Sequence, residues 1–360
     1  MKKILFILLI ASSFLAAADS EETKRPQEPK VPYPYNEEQV SFENSADGVK
    51  LAGTLTWPRS EGPFPTVVLL HGSAPLDRDS SMFGHKPFLV LADHLTRQGI
   101  AVLRFDKRSA GKSTGDYNTA NLEDFARDAL AGVEYLKTRK EIDLNQIGLI
   151  GHSEGGMTAA LASTRSKDIA FMVLMASPCT NWEELISVQE AALQRADGVS
   201  EEMIKQSRKF RKEMFAILKK EKNRELAENR LREYFSQLTP EQKKLAESYY
   251  GPEEGQIQFF NSVGFRYVLT YDPTVPLKTV KIPVLALNGE LDFVVSPALN
   301  LSRIAKALEE NEDLTILELP KLNHGFQTCQ TGSMMEAAKI EETLSPTALN
   351  AVSEWILKRV

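Results

Sequence analysis

Residues 147–160 read IGLIGHSEGGMTAA, and this stretch decides the fold. Its first four residues suit a buried strand, and the residues from Gly155 onward suit a helix. Between them lies Gly151-x-Ser153-x-Gly155, the G-x-S-x-G pattern of a sharp strand-to-helix turn that exposes a serine hydroxyl. The stretch therefore predicts a parallel α/β sheet with Ser153 as nucleophile. The backbone N–H of Glu154, at the positive end of the following helix, is a candidate oxyanion donor.

The remainder of the chain has the pattern of such a sheet. Apolar, β-branched runs alternate with helical patterns, which is typical of parallel strands joined by crossover helices. The predicted strands are residues 66–70, 101–105, 147–150, 171–175, 283–287 and 314–319, and the predicted helices are 88–98, 122–137, 155–163, 296–309 and 347–357. An antiparallel hairpin over residues 39–43 and 49–57 is predicted before them. We expect a doubly wound, mostly parallel sheet with this hairpin at its beginning.

A long insertion divides the predicted domain, which covers residues 38–360. Residues 180–274 are rich in Glu, Lys, Arg and Gln at helical spacing and carry few strand signals. Because the insertion leaves the sheet after the fourth parallel strand, we predict a helical cap over the strand ends, where such sheets bind ligands. Residues 19–37 are polar and contain four prolines, so they are expected to form a linker.

The first eighteen residues predict export. Lys2 and Lys3 precede an apolar run that ends in three alanines, so residues 1–18 are predicted to be a signal peptide. The run is shorter than the roughly 20 residues of a membrane-spanning helix, although an uncleaved anchor is the alternative. We expect a periplasmic or extracellular protein without stable membrane insertion after cleavage.

The charge balance bears on partners. The formal net charge is −6, and removal of Lys2 and Lys3 would make it more negative. An acidic protein is a poor partner for nucleic acid, so none is expected. The sequence leaves the oligomeric state open.

A serine nucleophile needs a base and a supporting acid. His324 follows the last predicted strand, and Glu290 and Asp292 both follow the strand before it. Asp292 is favoured because it lies farther beyond the strand end and is better placed to reach a histidine. The order Ser153, Asp292, His324 is that of α/β-hydrolases, and such a triad needs no metal or organic cofactor.

The loop after the first parallel strand is the expected source of a second oxyanion donor. It reads His71-Gly72-Ser73-Ala74-Pro75. Gly72 lets the backbone pass close to a substrate, and the N–H of Ser73 is the candidate donor. A tight strand-to-loop turn without this role is the alternative.

Together these motifs resemble a bacterial family of α/β-hydrolases described as esterases related to serine aminopeptidases and dienelactone hydrolases. The motifs that carry the resemblance are residues 77–79, 84–88, 91–93, 103–108, 111–115, 151–156, 269–273, 285–292, 322–327 and 340–343. Similar proteins tend to have Gly-Ser-Gly-Pro at residues 72–75 and Arg-Gly-x-Gly at residues 108–111, where this chain departs. The resemblance implies the α/β-hydrolase fold and a small-molecule ester as substrate. A peptidase with the same triad and a non-catalytic binding module are the alternatives.

Several residues of the chain allow two interpretations. Cys179 and Cys329 are both expected on the active-site side of the sheet, as a disulfide or as two buried thiols. Aromatic residues of the insertion are expected to line a substrate pocket or to form the core of the cap: Trp182, Tyr249, Tyr250, Phe259, Phe260 and Phe265. For an aminopeptidase, the acids available to hold a substrate ammonium are Glu183, Glu184 and Glu190.

Overall fold

The computed structural model describes residues 24–360. The predicted signal peptide, residues 1–18, and the first part of the predicted linker lie outside the described residues. The strands are β1 Asn36–Asn44, β2 Val49–Trp57, β3 Phe64–Leu70, β4 Ala101–Phe105, β5 Ile142–His152, β6 Phe171–Met175, β7 Val284–Gly289 and β8 Leu314–Leu319. The helices are α1 Pro87–Arg97, α2 Leu122–Leu136, α3 Glu154–Ser163, α4 Trp182–Ala196, α5 Glu201–Lys220, α6 Arg224–Ser236, α7 Pro240–Tyr250, α8 Glu253–Phe260, α9 Val263–Thr270, α10 Thr274–Leu277, α11 Pro297–Ala307, α12 Met334–Ala337 and α13 Pro346–Leu357. No helix within residues 24–360 is both long and apolar enough to cross a membrane.

One sheet contains all eight strands, in the order β1-β2-β4-β3-β5-β6-β7-β8. The β1–β2 and β2–β4 pairs are antiparallel, and every other neighbouring pair is parallel. The fold prediction, a mostly parallel sheet after an antiparallel hairpin, is therefore confirmed. Every residue of β4, β6 and β7 is buried, which explains why these strands read as continuous apolar runs.

The structure lengthens several of the predicted strands, β5 and β1 the most. β5 begins at Ile142, five residues before the predicted strand, because Ile142 pairs with Phe64 before the register shifts to Thr66 and Ile147. Of the intervening residues, Asp143, Asn145 and Gln146 are polar and Leu144 is exposed, so the sequence does not read as a buried strand there. β1 begins at Asn36, where the edge of the sheet is polar as well.

Helices α4 to α9 belong to a compact unit of their own, Asn118–Leu122 with Thr180–Asp272, called here the helical unit. Four of its helices begin after a residue whose side chain accepts a backbone N–H, namely Asn181, Ser200, Asn223 and Ser262, and α7 begins with a complete capping box at Thr239. These caps satisfy N–H groups that a helix start leaves without intrahelical partners. The helical content of the insertion agrees with its sequence pattern, while its role as a cap stays a prediction. The rest of the described chain forms the sheet unit.

The described part of the predicted linker, residues 24–37, is bonded to other parts of the chain, while its role as a linker stays a prediction. The Arg25 guanidinium donates to carbonyl oxygens of two separate loops, among them Ile340 O at 2.8 Å. The Gln27 side chain bonds to the chain just before α13. Composition alone suggested a free tether, but these long-range hydrogen bonds fasten the segment to the sheet unit.

Candidate active site

Ser153 occupies a strained turn between β5 and α3. Its backbone has φ 56° and ψ −124°, a region that residues with a side chain rarely adopt. Its N–H donates to Met175 O at 2.8 Å, and its carbonyl accepts from Gly156 N at 2.9 Å. These bonds hold a conformation that costs roughly 1–3 kcal/mol and leave the serine side chain partly exposed.

Two glycines make this turn possible. A Cβ on Gly151 would overlap the carbonyl of Gly155, and a Cβ on Gly155 would overlap the carbonyl of Leu70 at the end of β3. Both overlaps are with backbone, which cannot swing aside as a flexible side chain can. The G-x-S-x-G spacing is therefore a steric requirement of this strand-turn-helix connection.

Asp292 and His324 come from the loops after β7 and β8. Backbone bonding joins the two loops, because Leu291 N–H donates to Leu322 O at 2.9 Å. His324 Nδ1 lies 2.8 Å from Asp292 Oδ2. A carboxylate only accepts, so Nδ1 carries the proton and Nε2 is left as an acceptor. This is the tautomer that a general base for serine requires.

The Asp292 carboxylate is buried and fully hydrogen-bonded. Oδ1 accepts the N–H groups of Val294 and Val295, both at 2.8 Å, and Oδ2 also accepts from Asn288 Nδ2 at 3.2 Å. Glu290, the other candidate acid, is exposed and accepts from Lys321 N at 2.9 Å. The structure thus brings Asp292, and not Glu290, to the imidazole. Asn288, near the end of β7, is a part of this arrangement that was not identified from the sequence, although it lies four residues before Asp292.

His152 connects the serine turn to the histidine loop. Its ring centroid lies 4.8 Å from that of His324, and its Nε2 donates to His324 O at 2.9 Å. Burial, together with the nearby His324, lowers the pKa of His152 to about 4, so the ring is neutral near pH 7. Within residues 24–360, Ser153 Oγ makes no hydrogen bond to His324. Such contacts are often loose before substrate binds.

The two candidate oxyanion donors lie beside the nucleophile. A Cβ on Gly72 would be 3.2 Å from Ser153 Cβ, so the loop of Ser73 passes directly by the serine. Glu154 is the first residue of α3, where helices lack intrahelical partners for N–H groups. In the described part of the chain, neither the Ser73 nor the Glu154 N–H donates to another protein group.

Ala74 occupies a position where similar proteins tend to have glycine. It has φ +94°, in the region that favours glycine. Its N–H donates to the Tyr117 hydroxyl at 2.8 Å. Burial, and then the charge of Glu154, raise the pKa of Tyr117. This tyrosine braces the loop of Ser73 and was not identified from the sequence, because nothing near it in the chain signals the contact.

The two cysteines are buried thiols and not a disulfide. Cys179 N–H donates to Asn300 Oδ1 at 2.7 Å, which fixes the chain against α11. Cys329 Sγ lies 3.5 Å from Lys321 O. The possible disulfide is therefore not formed, and the alternative of two buried thiols describes the structure. Within residues 24–360, no group of three or more His, Cys, Asp or Glu side chains is arranged to hold a metal ion.

Comparisons with known proteins identify relatives of this chain. Esterase EstD of Thermotoga maritima is 27% identical over 308 residues, which are 86% of this chain and 66% of EstD. The uncharacterized protein YfhR of Salmonella typhi is 28% identical over 128 residues, 35% of this chain and 40% of YfhR. The chain thus spans less than two thirds of the length of these relatives.

Solved structures show the same fold. An esterase of Pyrococcus furiosus superposes with a TM-score of 0.55 at 18% identity, covering 90% of this chain and 91% of the esterase. The acylaminoacyl peptidase of Pyrococcus horikoshii has a TM-score of 0.53 at 14% identity, covering 91% of this chain and 42% of the peptidase. At such identities the likeness concerns the α/β-hydrolase fold alone. Residues 63–328 match the family described as "Serine aminopeptidase, S33", and the chain therefore belongs to this hydrolase family.

Proposed function

We propose that the protein is a serine esterase that cleaves carboxylic esters through an acyl-enzyme on Ser153. The observation that carries the proposal is the 2.8 Å hydrogen bond between His324 Nδ1 and Asp292 Oδ2. The backbone carbonyl of His324 also accepts from His152, the residue before the strained Ser153. His324 Nε2 takes the serine proton during attack on the ester carbonyl and passes it to the leaving alcohol. Water then hydrolyses the acyl-enzyme by the same route, and the acid is released.

Two backbone N–H groups would stabilise the tetrahedral intermediates. The donors of Ser73 and Glu154 have no competing acceptor within residues 24–360 and flank the nucleophile. Each would contribute roughly 3–4 kcal/mol to the transition state. We propose a small-molecule ester as substrate because the triad and these two donors act on the carbonyl group of the substrate. They require no other group of the substrate.

The acids of the helical unit argue against recognition of a substrate amine. Glu190 is 2% exposed and accepts from Arg211 Nε at 3.3 Å. Glu183 forms an ion pair with Lys219, and Glu184 accepts from a threonine hydroxyl at 2.8 Å. All three carboxylates are engaged within the unit. An ammonium group that bound to one of them would have to displace an existing partner.

The aromatic residues of the helical unit pack on one another. Phe260 lies 4.9 Å from Phe265 and 5.4 Å from Tyr250, measured between ring centroids, and Trp182 lies 6.0 Å from Phe265. These four rings are buried. They support the interpretation as the core of the unit, with edge and tilted contacts typical of aromatic cores, rather than as the wall of a substrate pocket.

A peptidase with the same triad is the second candidate. The family description, serine aminopeptidase, is the observation in its favour. The two candidates differ in the leaving group, because an amine must be protonated to leave whereas an alkoxide leaves more easily. Turnover of p-nitrophenyl esters with acyl chains of graded length, beside aminoacyl p-nitroanilides, separates them. Faster anilide turnover would reverse the order proposed here.

A fluorophosphonate probe tests the serine chemistry itself. The purified protein should be labelled at Ser153, and Ser153→Ala should abolish both labelling and ester turnover. Ser163→Ala is the matched control, because Ser163 ends α3, the helix that follows Ser153, and its hydroxyl donates to Ala160 O at 2.9 Å. A folded protein that neither labels nor hydrolyses any ester would rule out the esterase and favour a binding module.

We also propose export, on the sequence of residues 1–18. Expression of the full chain should give a mature protein that begins near residue 19 in the periplasmic or extracellular fraction. Deletion of residues 2–18 should retain the protein in the cytoplasm. Mass spectrometry of each fraction decides between a cleaved signal peptide and an uncleaved anchor.

A further inference from the structure

A buried lysine lies behind the candidate oxyanion site. Lys107 follows β4 by two residues and is 5% exposed. Its Nζ donates to Glu154 Oε1 at 2.8 Å and to Gly72 O at 3.0 Å, and it lies 3.9 Å from the centroid of the Phe125 ring. Lysine is almost never fully buried unless it is paired, because burial of a charge is costly. The burial of Lys107 therefore calls for a structural or functional explanation.

Its partner is the residue that follows the nucleophile. The Glu154 side chain is 8% exposed, and its second oxygen, Oε2, accepts the hydroxyl of Ser73 at 3.2 Å. One buried ion pair therefore joins Lys107 to both residues whose N–H groups are the candidate oxyanion donors. The three segments lie far apart in the chain, so no local motif marks this connection.

The planarity of the peptide bond gives the contact with Gly72 a direct consequence. Gly72 C=O and Ser73 N–H belong to the same trans peptide, so they point in opposite directions. When Lys107 Nζ binds the oxygen, it fixes the direction of the N–H on the far side. A charged donor on the carbonyl also polarises the peptide and makes its N–H a stronger donor.

The ion pair also removes an electrostatic conflict. A lone carboxylate on Glu154 would lie on the same residue as an N–H that must stabilise a developing negative charge. Like charges in a buried site repel strongly, because the local dielectric constant is low. Lys107 neutralises this carboxylate and leaves the N–H to act alone.

We propose that Lys107 is a positioning residue that holds the two oxyanion donors, Ser73 N–H and Glu154 N–H, through its bonds to Gly72 O and the Glu154 carboxylate. The proposal rests on the esterase function proposed above. Lys107 itself touches no substrate. Because the donors matter most when the oxyanion forms, loss of Lys107 affects kcat more than KM.

Lys107→Met tests the proposal, since methionine keeps much of the length and removes the charge. We expect kcat for a short p-nitrophenyl ester to fall about 10–100-fold, less than the loss of a whole donor, with KM changed less than about threefold. Affinity for a trifluoromethyl ketone, which forms an oxyanion on Ser153, should fall by the same factor. Affinity for the corresponding methyl ketone should stay unchanged. Lys112→Met, an exposed lysine of the same loop, is the control.

A second pair of variants covers the case in which Lys107→Met does not fold. Glu154→Gln keeps the lysine on Gly72 O, and the double variant Lys107→Met/Glu154→Gln leaves no unpaired charge. We expect the double variant to have kcat at least about 10-fold below Glu154→Gln, and above Lys107→Met if that variant folds.

The results separate the two proposals. Equal kcat for the double variant and Glu154→Gln, or a Lys107→Met enzyme with unchanged kcat and ketone affinity, overturns the role of Lys107. Equal losses of both ketones would mean a merely structural role and overturn it as well. A wild-type protein without ester turnover or fluorophosphonate labelling would instead overturn the esterase proposal on which this one rests.

Discussion

Replacement of Asp292 by asparagine is the sharpest test of the candidate triad, because it alters charge with little change of shape. Oδ1 accepts two backbone N–H groups at 2.8 Å, while Oδ2 faces His324 Nδ1 at 2.8 Å and Asn288 Nδ2 at 3.2 Å. The introduced amide can turn its NH₂ to either side. In the position of Oδ1, the NH₂ group would face two backbone N–H donors. In the position of Oδ2, it would face one donor, Asn288 Nδ2, and the His324 imidazole, which can change tautomer.

The second orientation is therefore the stable one, and it inactivates the base. His324 Nδ1 would accept from the introduced amide, and the ring proton would move to Nε2. A protonated Nε2 cannot take the proton of Ser153. In a serine triad such a wrong tautomer lowers kcat by about 10⁴-fold, which corresponds to about 5 kcal/mol of transition-state stabilisation. KM should change little, because Asp292 is 2% exposed and lies behind the imidazole.

Steady-state kinetics on a p-nitrophenyl ester measures the effect, and nitrogen NMR shifts of the His324 ring report the tautomer directly. Glu290→Gln is the matched control, since Glu290 is an exposed acid of the same loop that bonds to Lys321 N. Its kcat should stay within about twofold. If Asp292→Asn folded and kept kcat within about tenfold, or if Glu290→Gln were the damaging change, the assignment of the acid would be wrong.

Three further outcomes concern the scaffold. Ala74→Gly should raise the free energy of unfolding, measured in urea, by about 1 kcal/mol. The backbone at φ +94° costs alanine roughly 1–3 kcal/mol, and the greater chain entropy that glycine loses on folding offsets roughly 0.5–1 kcal/mol of this gain. A variant with a lower free energy of unfolding than the wild type contradicts the strain. From pH 7 to pH 5 the free energy of unfolding should fall by roughly 2 kcal/mol for each of His71 and His152. Burial lowers the pKa of these histidines in the folded protein to about 3 and about 4, whereas in the unfolded chain they bind protons near pH 6.5. In His152→Gln the fall between pH 7 and pH 5 should be smaller by the contribution of His152. Arg25→Ala should lower the free energy of unfolding by about 1–2 kcal/mol and speed proteolysis of the N-terminal segment, because several hydrogen bonds to carbonyl oxygens are lost. An unchanged rate of proteolysis would mean that these bonds do not fasten the segment.

The sequence predicted the sheet well where burial dictates residue type. β4 and β6 lie on the predicted residues 101–105 and 171–175, because strands covered on both faces are continuous apolar runs. Where a strand is only partly buried, the pattern is lost. The first residue of β5, Ile142, pairs with β3 in a shifted register, and the polar residues 143, 145 and 146 with an exposed leucine at 144 leave no pattern of a buried strand.

The candidate site was predictable in its residue types and chain order, and less so in its contacts. Ser153 and His324 follow from a motif with strict steric needs and from the position after the last strand. The choice of Asp292 over Glu290 needed only an argument about reach. Tyr117 and the anchoring of Arg25 were not predictable, because a side chain that bonds to a distant backbone group leaves no periodic signal.

Lys107 lies between these two cases, because physical reasoning alone gives a partial signal. Glu154 immediately follows the proposed nucleophile, and a buried carboxylate there opposes the charge that the proposed reaction develops. A chain that keeps this acid needs a cation against it. The loop after β4 returns to the carboxyl edge of the sheet beside β3, so a basic residue at its start is the nearest source. Lysine at 107 and glutamate at 154 therefore depend on each other, and replacing both should disturb the site less than replacing the lysine alone.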